Sequence, residues 1–255
     1  RAAARAHTPL AVIRFLEQDA AAAASLYAAA RERATDCGDD ALIGWSCQNL
    51  GVLANLAGDL REARALYLES VASSVRSGDD TTAATAYNSL GIIAADLQDW
   101  MDSMLYFDRG LEVADDLGDL RVRATMLANR AEPLIFMGET ERARTTLDEA
   151  ESVASRIGDQ RTLCEVSRFR GVIARLLHRL AESETHLSHA LAIARSADLP
   201  LEGAEATEEL ARIRWQEGRA GAARVLARES LRAYEQLGAG QNARRVRDLL
   251  TEWAS

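Results

Sequence analysis

Three side chains on one predicted helix have the types and the spacing to hold a metal ion. Glu182, His186 and His189 lie at i, i+4 and i+7, so one helix face could present all three to a cation such as zinc. The same helix has a packing face that is set by Ser183 and Leu187, which leaves the histidines pointing mainly away from the core. We therefore favour a solvated helix face, with a metal site as the alternative.

Other catalytic chemistry has no signature in this chain. The sequence contains no glycine-rich phosphate loop, no Gly-x-Ser-x-Gly motif and no local pairing of cysteine with histidine. Paired acids such as Asp39-Asp40 and Asp115-Asp116 are typical of turns and surfaces. We predict a protein that is not an enzyme and that needs neither a cofactor nor a metal.

The composition argues against several classes of function. The net charge of −9 disfavours general binding of nucleic acid, and no apolar stretch reaches the roughly 18 residues of a membrane span. The three cysteines, Cys37, Cys47 and Cys164, are far apart and odd in number. They fit small buried side chains in a reduced, cytoplasmic setting. The chain opens at Arg1 rather than Met, so we expect it to be part of a larger polypeptide.

A Gly-Asp pair recurs every 40 residues and organises the whole chain. The copies are Gly38-Asp39, Gly78-Asp79, Gly118-Asp119 and Gly158-Asp159, with weaker copies at Asp198-Leu199 and Gly238-Ala239. Glycine after a helix can adopt the left-handed conformation that ends it, and aspartate behind it can cap the next helix. A second turn halfway through each period divides the unit into two helices. Self-similarity at a fixed period of this length is the signature of a repeat array.

Two columns of small residues predict how the helices of each unit pack. The first helices carry Ala11, Gly51, Gly91, Ala131, Gly171 and Ala211, and the second helices carry Ala23, Ala63, Ser103, Ala143, Ser183 and Ala223. A column of large residues stands beside them: Tyr27, Tyr67, Phe107, Leu147 and Leu187. Glycine inside a helix costs about 1 kcal/mol relative to alanine, so the three helical glycines need a packing reason. We expect close approach of the paired helices there.

These columns resemble the tetratricopeptide repeat family. Asn49-Leu50-Gly51, with Ala54, Ala63 and Tyr67, matches the small, large and Gly/Ala positions of that family, although its usual unit is about 34 residues. Among long-unit arrays the chain is similar to those of Pins-type adaptors, kinesin light chains and bacterial maltose-activator and Rap-type regulators. The resemblance implies an all-α, right-handed α-solenoid (a superhelix) of about six antiparallel helix pairs plus a C-terminal capping helix.

We predict that residues 1–255 form a single domain of this kind. The predicted repeats are 1–37, 38–77, 78–117, 118–157, 158–197 and 198–237, followed by a capping or linker helix at 238–255. Pro133 lies inside the first helix of repeat four, where it cannot donate to the carbonyl four residues back. We expect a kink of more than about 20° at that point.

The resemblance also implies a concave groove lined by the first helices of successive repeats. In the family the residue before the Leu of Asn-Leu-Gly faces this groove, and that column is here Asn49, Ser89, Asn129, Phe169 and Glu209. Further groove candidates are Gln48, Val52, Asn88, Ile92, Arg168, Arg175, Arg212 and Trp215. An asparagine amide carries both a donor and an acceptor, so it can pair with both groups of a peptide bond in an extended ligand.

The chemistry of the predicted groove changes along the chain. Repeats two and three are neutral and amide-lined, whereas repeat five is expected to be basic because of Arg168, Arg170 and Arg175. A solvated inner face that binds nothing is the alternative.

Two functions from different classes fit this sequence. The first is a non-enzymatic scaffold for protein–protein interaction, whose groove binds a peptide segment or a partner helix. The alternative is a ligand- or effector-sensing segment of a larger bacterial signalling or transcription regulator. Neither function involves direct contact with nucleic acid or a membrane, and both leave room for a homo-oligomer.

Overall fold

The computed structural model describes residues 7–16 and 19–254, and within these ranges the chain forms thirteen α-helices. The chain divides into two compact units, Arg1–Val122 and Arg123–Ser255. The helices of the first unit are α1 His7–Leu16, α2 Ala20–Cys37, α3 Asp40–Ala57, α4 Leu60–Ser77, α5 Asp80–Asp96 and α6 Trp100–Leu117. The boundary falls within α7 Leu120–Phe136, and the remaining helices are α8 Thr140–Ile157, α9 Gln160–Leu176, α10 Leu180–Ser196, α11 Pro200–Gln216, α12 Ala220–Gln236 and α13 Gly240–Glu252.

The helices keep the 40-residue period of the sequence. The first helices of repeats two to six begin at residues 40, 80, 120, 160 and 200, and a second helix follows each of them. First helices of successive repeats also meet, α3 with α5 in the first unit and α9 with α11 in the second. The prediction of an all-α helical repeat fold is confirmed, whereas the single-domain organisation stays a prediction. The first six residues of predicted repeat one lie outside the described residues.

The Gly-Asp turns work as the sequence predicts. Between α4 and α5, Gly78 takes φ 71° and Asp79 donates its backbone N–H to the Ser74 carbonyl, which satisfies the end of α4. The Asp79 carboxylate then accepts from the Thr82 backbone N–H at 3.1 Å and from the Thr82 hydroxyl at 2.7 Å. One two-residue turn therefore ends a helix and caps the next.

The small residues of the first helices leave space for the large residues of the second helices. A β-carbon built on Gly51 would lie 2.5 Å from Cε1 of Tyr67, and one on Gly91 would lie 2.5 Å from Cε1 of Phe107. Both rings are buried. The aromatic ring of the second helix therefore occupies the space that a side chain on the first helix would fill. In repeat three the Ser103 hydroxyl also donates to the Gly91 carbonyl at 2.8 Å, which ties the two helices together.

Two other sequence expectations have different outcomes. Helix α7 continues through Pro133 to Phe136, and the angle of the expected kink stays a prediction.

Cys47 and Cys164 are buried free cysteines, as expected, and burial raises the pKa of each thiol to about 12. Cys37 is exposed, because it is the last residue of α2 and lies beside the turn, so the expectation of burial is wrong for this residue. Among the described helices, none combines the length and the apolar composition needed to cross a membrane.

The turn between α9 and α10 stores strain that a single substitution can release. His178 takes φ 58°, where three matching turns have glycine, such as Gly138 at φ 79° and Gly218 at φ 74°, and one has Gln98 at φ 62°. A residue with a β-carbon is destabilised by about 1–2 kcal/mol in this conformation. Glycine avoids that strain, but it also raises the conformational entropy of the unfolded chain, which offsets part of the stabilisation. We expect His178→Gly to stabilise the protein by about 0.5–1 kcal/mol, measured by urea unfolding.

His178→Ala is the matched control, since it removes the imidazole and keeps the β-carbon. It should leave the unfolding midpoint unchanged. Equal stabilisation by both substitutions would mean that the imidazole, and not the backbone conformation, is the source of the strain.

Candidate functional site

An uncharged surface on the first helices of the first unit contains six of the predicted groove residues. We call it the amide face, and its members are Gln48, Asn49 and Val52 on α3 and Asn88, Ser89 and Ile92 on α5. The Gln48 amide nitrogen donates to the Ser89 hydroxyl oxygen at 3.1 Å and so links the two helices. All six lie together on neighbouring first helices, and five of them are half-buried rather than enclosed.

The Gln48 amide is oriented toward its neighbour. The Ser89 hydroxyl donates to the Thr85 carbonyl at 3.1 Å and accepts from the Gln48 amide nitrogen. The Gln48 nitrogen is thus the atom that faces Ser89. The other end of the amide, Oε1, is buried and has no hydrogen-bond partner among the described residues, and the whole residue is only 8% exposed.

Asn49 is oriented in a similar way by its own helix. Its amide nitrogen donates to the Trp45 carbonyl at 2.8 Å, so the carbonyl oxygen of the side chain is the group left for a ligand. Trp45 is held in turn by an edge-on contact with Tyr27, at 5.3 Å between ring centroids. The amide face thus offers one carbonyl oxygen at its surface, from Asn49, and holds a second, buried one, from Gln48, on a surface without formal charge.

The first-helix face of the second unit has a different chemistry. We call it the ionic face, because arginine–glutamate pairs join α9 to α11 and α11 to α13. The pairs are Arg161–Glu202, Arg168–Glu205, Arg175–Glu209 and Arg245–Glu208. Arg175 Nε donates to Glu209 Oε2 at 2.8 Å, and Arg212 lies between Glu208 and Glu209 on the same helix.

The expectation of a basic repeat five is wrong. Arg168 lies 3.0 Å from Glu165 and 3.3 Å from Glu205, both measured from its Nε, and Arg170 bonds to Asp148 and Glu151 on α8. These carboxylates neutralise the guanidinium groups. The sequence did not reveal the pairs because most of the partners lie on other helices.

The structure also corrects the expectation for Phe169, whereas Trp215 is 36% exposed and stays a predicted groove residue. The Phe169 side chain is 2% exposed and lies under the Arg168 guanidinium, 4.1 Å from the ring centroid, so it cannot meet a ligand on this surface. Trp215 stacks on Trp253 with ring centroids 4.8 Å apart. Its larger contact is therefore with the C-terminal end of the chain, where Arg224 also bonds to the Trp253 carbonyl. Asn129 is half-buried on α7, and its place in the groove stays a prediction.

Two glutamates of the ionic face have shifted pKa values of opposite sign. Burial and the nearby Glu165 carboxylate raise the pKa of Glu205, against the pull of Arg168. Burial would also raise the pKa of Glu208, but the hydrogen bonds and charge of Arg245, with the charge of Arg212, lower it to about 2. Glu208 is therefore the anion of this network, whereas burial opposes the charge of Glu205. The Arg168 guanidinium is balanced chiefly by Glu165, its nearest carboxylate.

The candidate metal ligands do not assemble. The His189 ring nitrogen Nδ1 lies 3.0 Å from the Ser167 hydroxyl, and Glu182 lies 3.7 Å from the Arg179 guanidinium. In the described part of the chain, no group of three histidine, cysteine or acidic residues is placed to hold a metal ion.

The main features that sequence reasoning missed are the cross-helix pairs. Their members are separated by 34 to 41 residues, close to the repeat period. Opposite charges at that separation on successive first helices are the signal that could have identified them.

Similarity to known proteins is found at the level of structure. No family model matches the chain, and no curated protein sequence matches it. The apo form of RapI is similar with a TM-score of 0.69 at 9% identity, over 98% of this chain and 97% of that one. The Rap conjugation gene regulator of the plasmid pLS20, in complex with the Phr* peptide, is similar with a TM-score of 0.61 at 15% identity, over 96% and 72% of the two chains.

A third similar structure is a signal-transduction ATPase with numerous domains from Pyrococcus horikoshii, which has a tetratricopeptide repeat sensor. The TM-score is 0.61 at 14% identity, and the match covers 96% of this chain and 36% of that one. The chain thus has the fold of tetratricopeptide-type repeat proteins, and it spans about a third of the length of this ATPase.

Proposed function

We propose that the chain is a non-enzymatic interaction scaffold that binds an extended peptide segment of a protein partner on the amide face. The observation that carries this proposal is the buried, partnerless Oε1 of Gln48. A buried acceptor without a partner costs about 1–3 kcal/mol, and most such groups in folded proteins find one. A backbone N–H of a bound peptide is a donor of the right kind, and it reaches this oxygen when the Gln48 side chain turns outward, because the oxygen is buried in the free protein.

The geometry of the face fits an extended ligand better than a charged one. Asn49 presents a carbonyl oxygen, with that of Gln48 buried beside it, and Val52 and Ile92 provide half-buried apolar surface one turn further along their helices. An extended chain supplies N–H donors and alternating side chains to such a surface. Because the donors and acceptors are fixed on packed helices, binding orders little of the protein itself.

The ionic face is a poorer candidate for the same role. Its arginines are already bonded to glutamates of the chain, so a ligand would have to displace those pairs before it gained any contact. Breaking a buried ion pair from one side leaves an uncompensated charge. One of the similar structures, the Rap conjugation gene regulator, is a complex with a peptide, which supports a peptide ligand for this fold.

We assign no cofactor, no catalytic residue and no direct role in nucleic-acid or membrane binding to this scaffold, and we place it in the cytoplasm. The three cysteines are free thiols, which suits a reducing compartment.

Gln48→Leu tests the proposal, because it removes the acceptor and keeps the size of the side chain. Peptides are first selected from a displayed random library against the wild-type protein, and their affinities are then measured by calorimetry. We expect Gln48→Leu to weaken the selected peptides about tenfold, or about 1.4 kcal/mol. The free variant loses the bond to Ser89 together with the unpartnered oxygen, so its free energy of unfolding should change by about 1 kcal/mol or less.

Gln236→Leu is the matched control, since Gln236 is exposed at the end of α12. It should leave peptide affinity unchanged. Peptides that bind Gln48→Leu as tightly as the wild type would remove the site from the amide face.

A second candidate function is a sensor segment within a larger signalling protein. It is favoured by the similarity to the signal-transduction ATPase, which has a tetratricopeptide repeat sensor. The sequence of the full gene tests it: an adjacent ATPase or helix-turn-helix domain would support the sensor, and an open reading frame that encodes the repeats alone would exclude it.

A further inference from the structure

A cleft of about 310 Å³ opens in the second unit, between α10, α11 and α12. It lies away from the ionic face, at the turn that joins repeat five to repeat six. Its walls combine apolar groups such as Leu191, Leu199 and Pro200 with charged side chains at its edge. A volume of this size is at the lower end of the range for small-molecule sites.

At two positions of the cleft wall, repeat six carries small residues where some of the other repeats carry large ones. Gly203 stands where repeats two and five have Ile43 and Leu163, and Ala233 stands where repeats four and five have Val153 and Ile193. A β-carbon on Gly203 would meet only the Ala194 β-carbon, at the ordinary distance of 3.5 Å. A β-carbon therefore fits at position 203 without a clash.

The turn at the mouth of the cleft also departs from the other repeats. Asp198 takes φ 53° at the position where the inter-repeat turns between α2 and α9 have glycine. Leu199 then replaces the capping aspartate, and the N-terminus of α11 has no side-chain cap bond. This turn therefore departs from the repeat pattern. The backbone of Asp198 adopts a conformation that favours glycine, and its carboxylate lines the cleft.

Three charged groups that line the cleft have no partner within the described chain. They are Arg195, Asp198 and Glu229, and each is exposed to solvent. This contrasts with the arginines of the ionic face, which are paired with glutamates. One cationic group and two anionic groups are therefore available to a ligand.

Two hydroxyl groups add acceptors to the inner wall. Thr207 donates to the Gly203 carbonyl at 2.8 Å and Ser230 donates to the Ala227 carbonyl at 3.0 Å. Their protons are used in these bonds, so both oxygens can face a ligand only as acceptors. Ser230 is 1% exposed and Thr207 is buried, which places these acceptors deep in the cleft rather than at its rim.

We propose that this cleft binds a basic α-amino acid, either free or as the C-terminal residue of a peptide. The α-carboxylate pairs with Arg195, the side-chain cation pairs with Asp198 or Glu229, and the methylene stem lies against the apolar wall. In a free amino acid, the α-ammonium pairs with the other carboxylate. The charges of such a ligand are the complement of the charges of the site. This site is independent of the proposed function, because it lies in the other unit and uses none of the residues of the amide face.

Calorimetric titration of the whole chain with three probes tests the proposal. L-lysine should bind with a Kd of about 1 mM or tighter, and cadaverine, which has the two amines without the carboxylate, should bind at least tenfold more weakly. Nα-acetyl-L-lysine distinguishes the sources: affinity equal to that of L-lysine identifies a peptide C-terminus, and a loss of tenfold or more identifies the free amino acid. No binding of L-lysine or Nα-acetyl-L-lysine at about 10 mM would overturn the proposal.

Variants that restore the residues of other repeats locate the site. Gly203→Leu and Ala233→Ile copy repeat five and should abolish binding while the protein remains folded, whereas Gly221→Leu, which points into open space, should not affect it. Asp198→Gly should raise the unfolding midpoint and lower the affinity for L-lysine by about tenfold. Undiminished binding to folded Gly203→Leu and Ala233→Ile proteins would show that lysine binds elsewhere.

Discussion

Gly51→Leu is expected to destabilise the protein by about 3 kcal/mol, at the upper end of the usual cost of overpacking a core. The first added carbon would lie 2.5 Å from Cε1, 2.7 Å from Cδ1 and 3.0 Å from Cζ of Tyr67. The Tyr67 ring is buried and packs in a cluster with Ala63 and Leu90, so it cannot withdraw into solvent. Either the ring or the whole of α4 must move, and urea unfolding monitored by circular dichroism measures the cost.

Gly221→Leu is the matched control, because a β-carbon on Gly221 would meet no atom within 4 Å. Leucine is the better helix former, so this variant should be as stable as the wild type or slightly more stable. A Gly51→Leu midpoint equal to that of the control would mean that Gly51 is not the space in which Tyr67 packs.

Glu208→Gln is expected to cost about 3 kcal/mol at neutral pH, because it removes one partner of a buried charge network. Glu208 lies on α11 and is almost fully buried. Its carboxylate accepts from Arg245 at 2.8 and 3.0 Å, from Arg212 at 2.8 Å and from the Tyr234 hydroxyl at 3.0 Å. The substitution leaves three donors on three helices facing a neutral amide.

The same carboxylate predicts a dependence on pH with a definite sign. Its pKa is lowered from 4.5 in the unfolded chain to about 2 in the folded one. The native state therefore gains stability above about pH 4.5 and loses it as the pH falls through about 2. The difference between wild type and Glu208→Gln should shrink from pH 7 to pH 3.

Glu235→Gln is the control for that experiment, since the Glu235–Arg247 pair is exposed on both sides. Exposed pairs contribute about 0–1 kcal/mol, so this variant should show neither the large loss nor its pH dependence. A Glu208→Gln protein that behaves like Glu235→Gln would mean that the network is solvated rather than buried.

The helices were predictable from sequence because their ends are determined locally. Glycine in the left-handed conformation and aspartate as a cap act within a few residues, and the 40-residue period repeats the same turn. The match of Gly51 to Tyr67 was predictable for the same reason, since paired columns sixteen residues apart recur in several repeats.

The candidate site was only partly predictable, because it depends on how the first helices of successive repeats pack together. The amide character of Asn49 and Gln48 is evident in the sequence, but the lack of a partner for Gln48 Oε1 depends on the hydroxyl orientation of Ser89. Likewise, the sequence suggests that Arg168 carries an unpaired positive charge, whereas in the structure Glu205 of the next repeat lies 3.3 Å from it.

Photo-crosslinking tests most directly whether the amide face binds a peptide. The residue p-benzoylphenylalanine is introduced at Val52, at Ile92 or at Met101, which is 72% exposed on the second helix of repeat three. A peptide selected against the wild type is added, irradiated and analysed by mass spectrometry. A ligand on the amide face would crosslink from Val52 and Ile92 and not from Met101. Crosslinks from Met101 alone, or from none of the three positions while the peptide still binds, would contradict it.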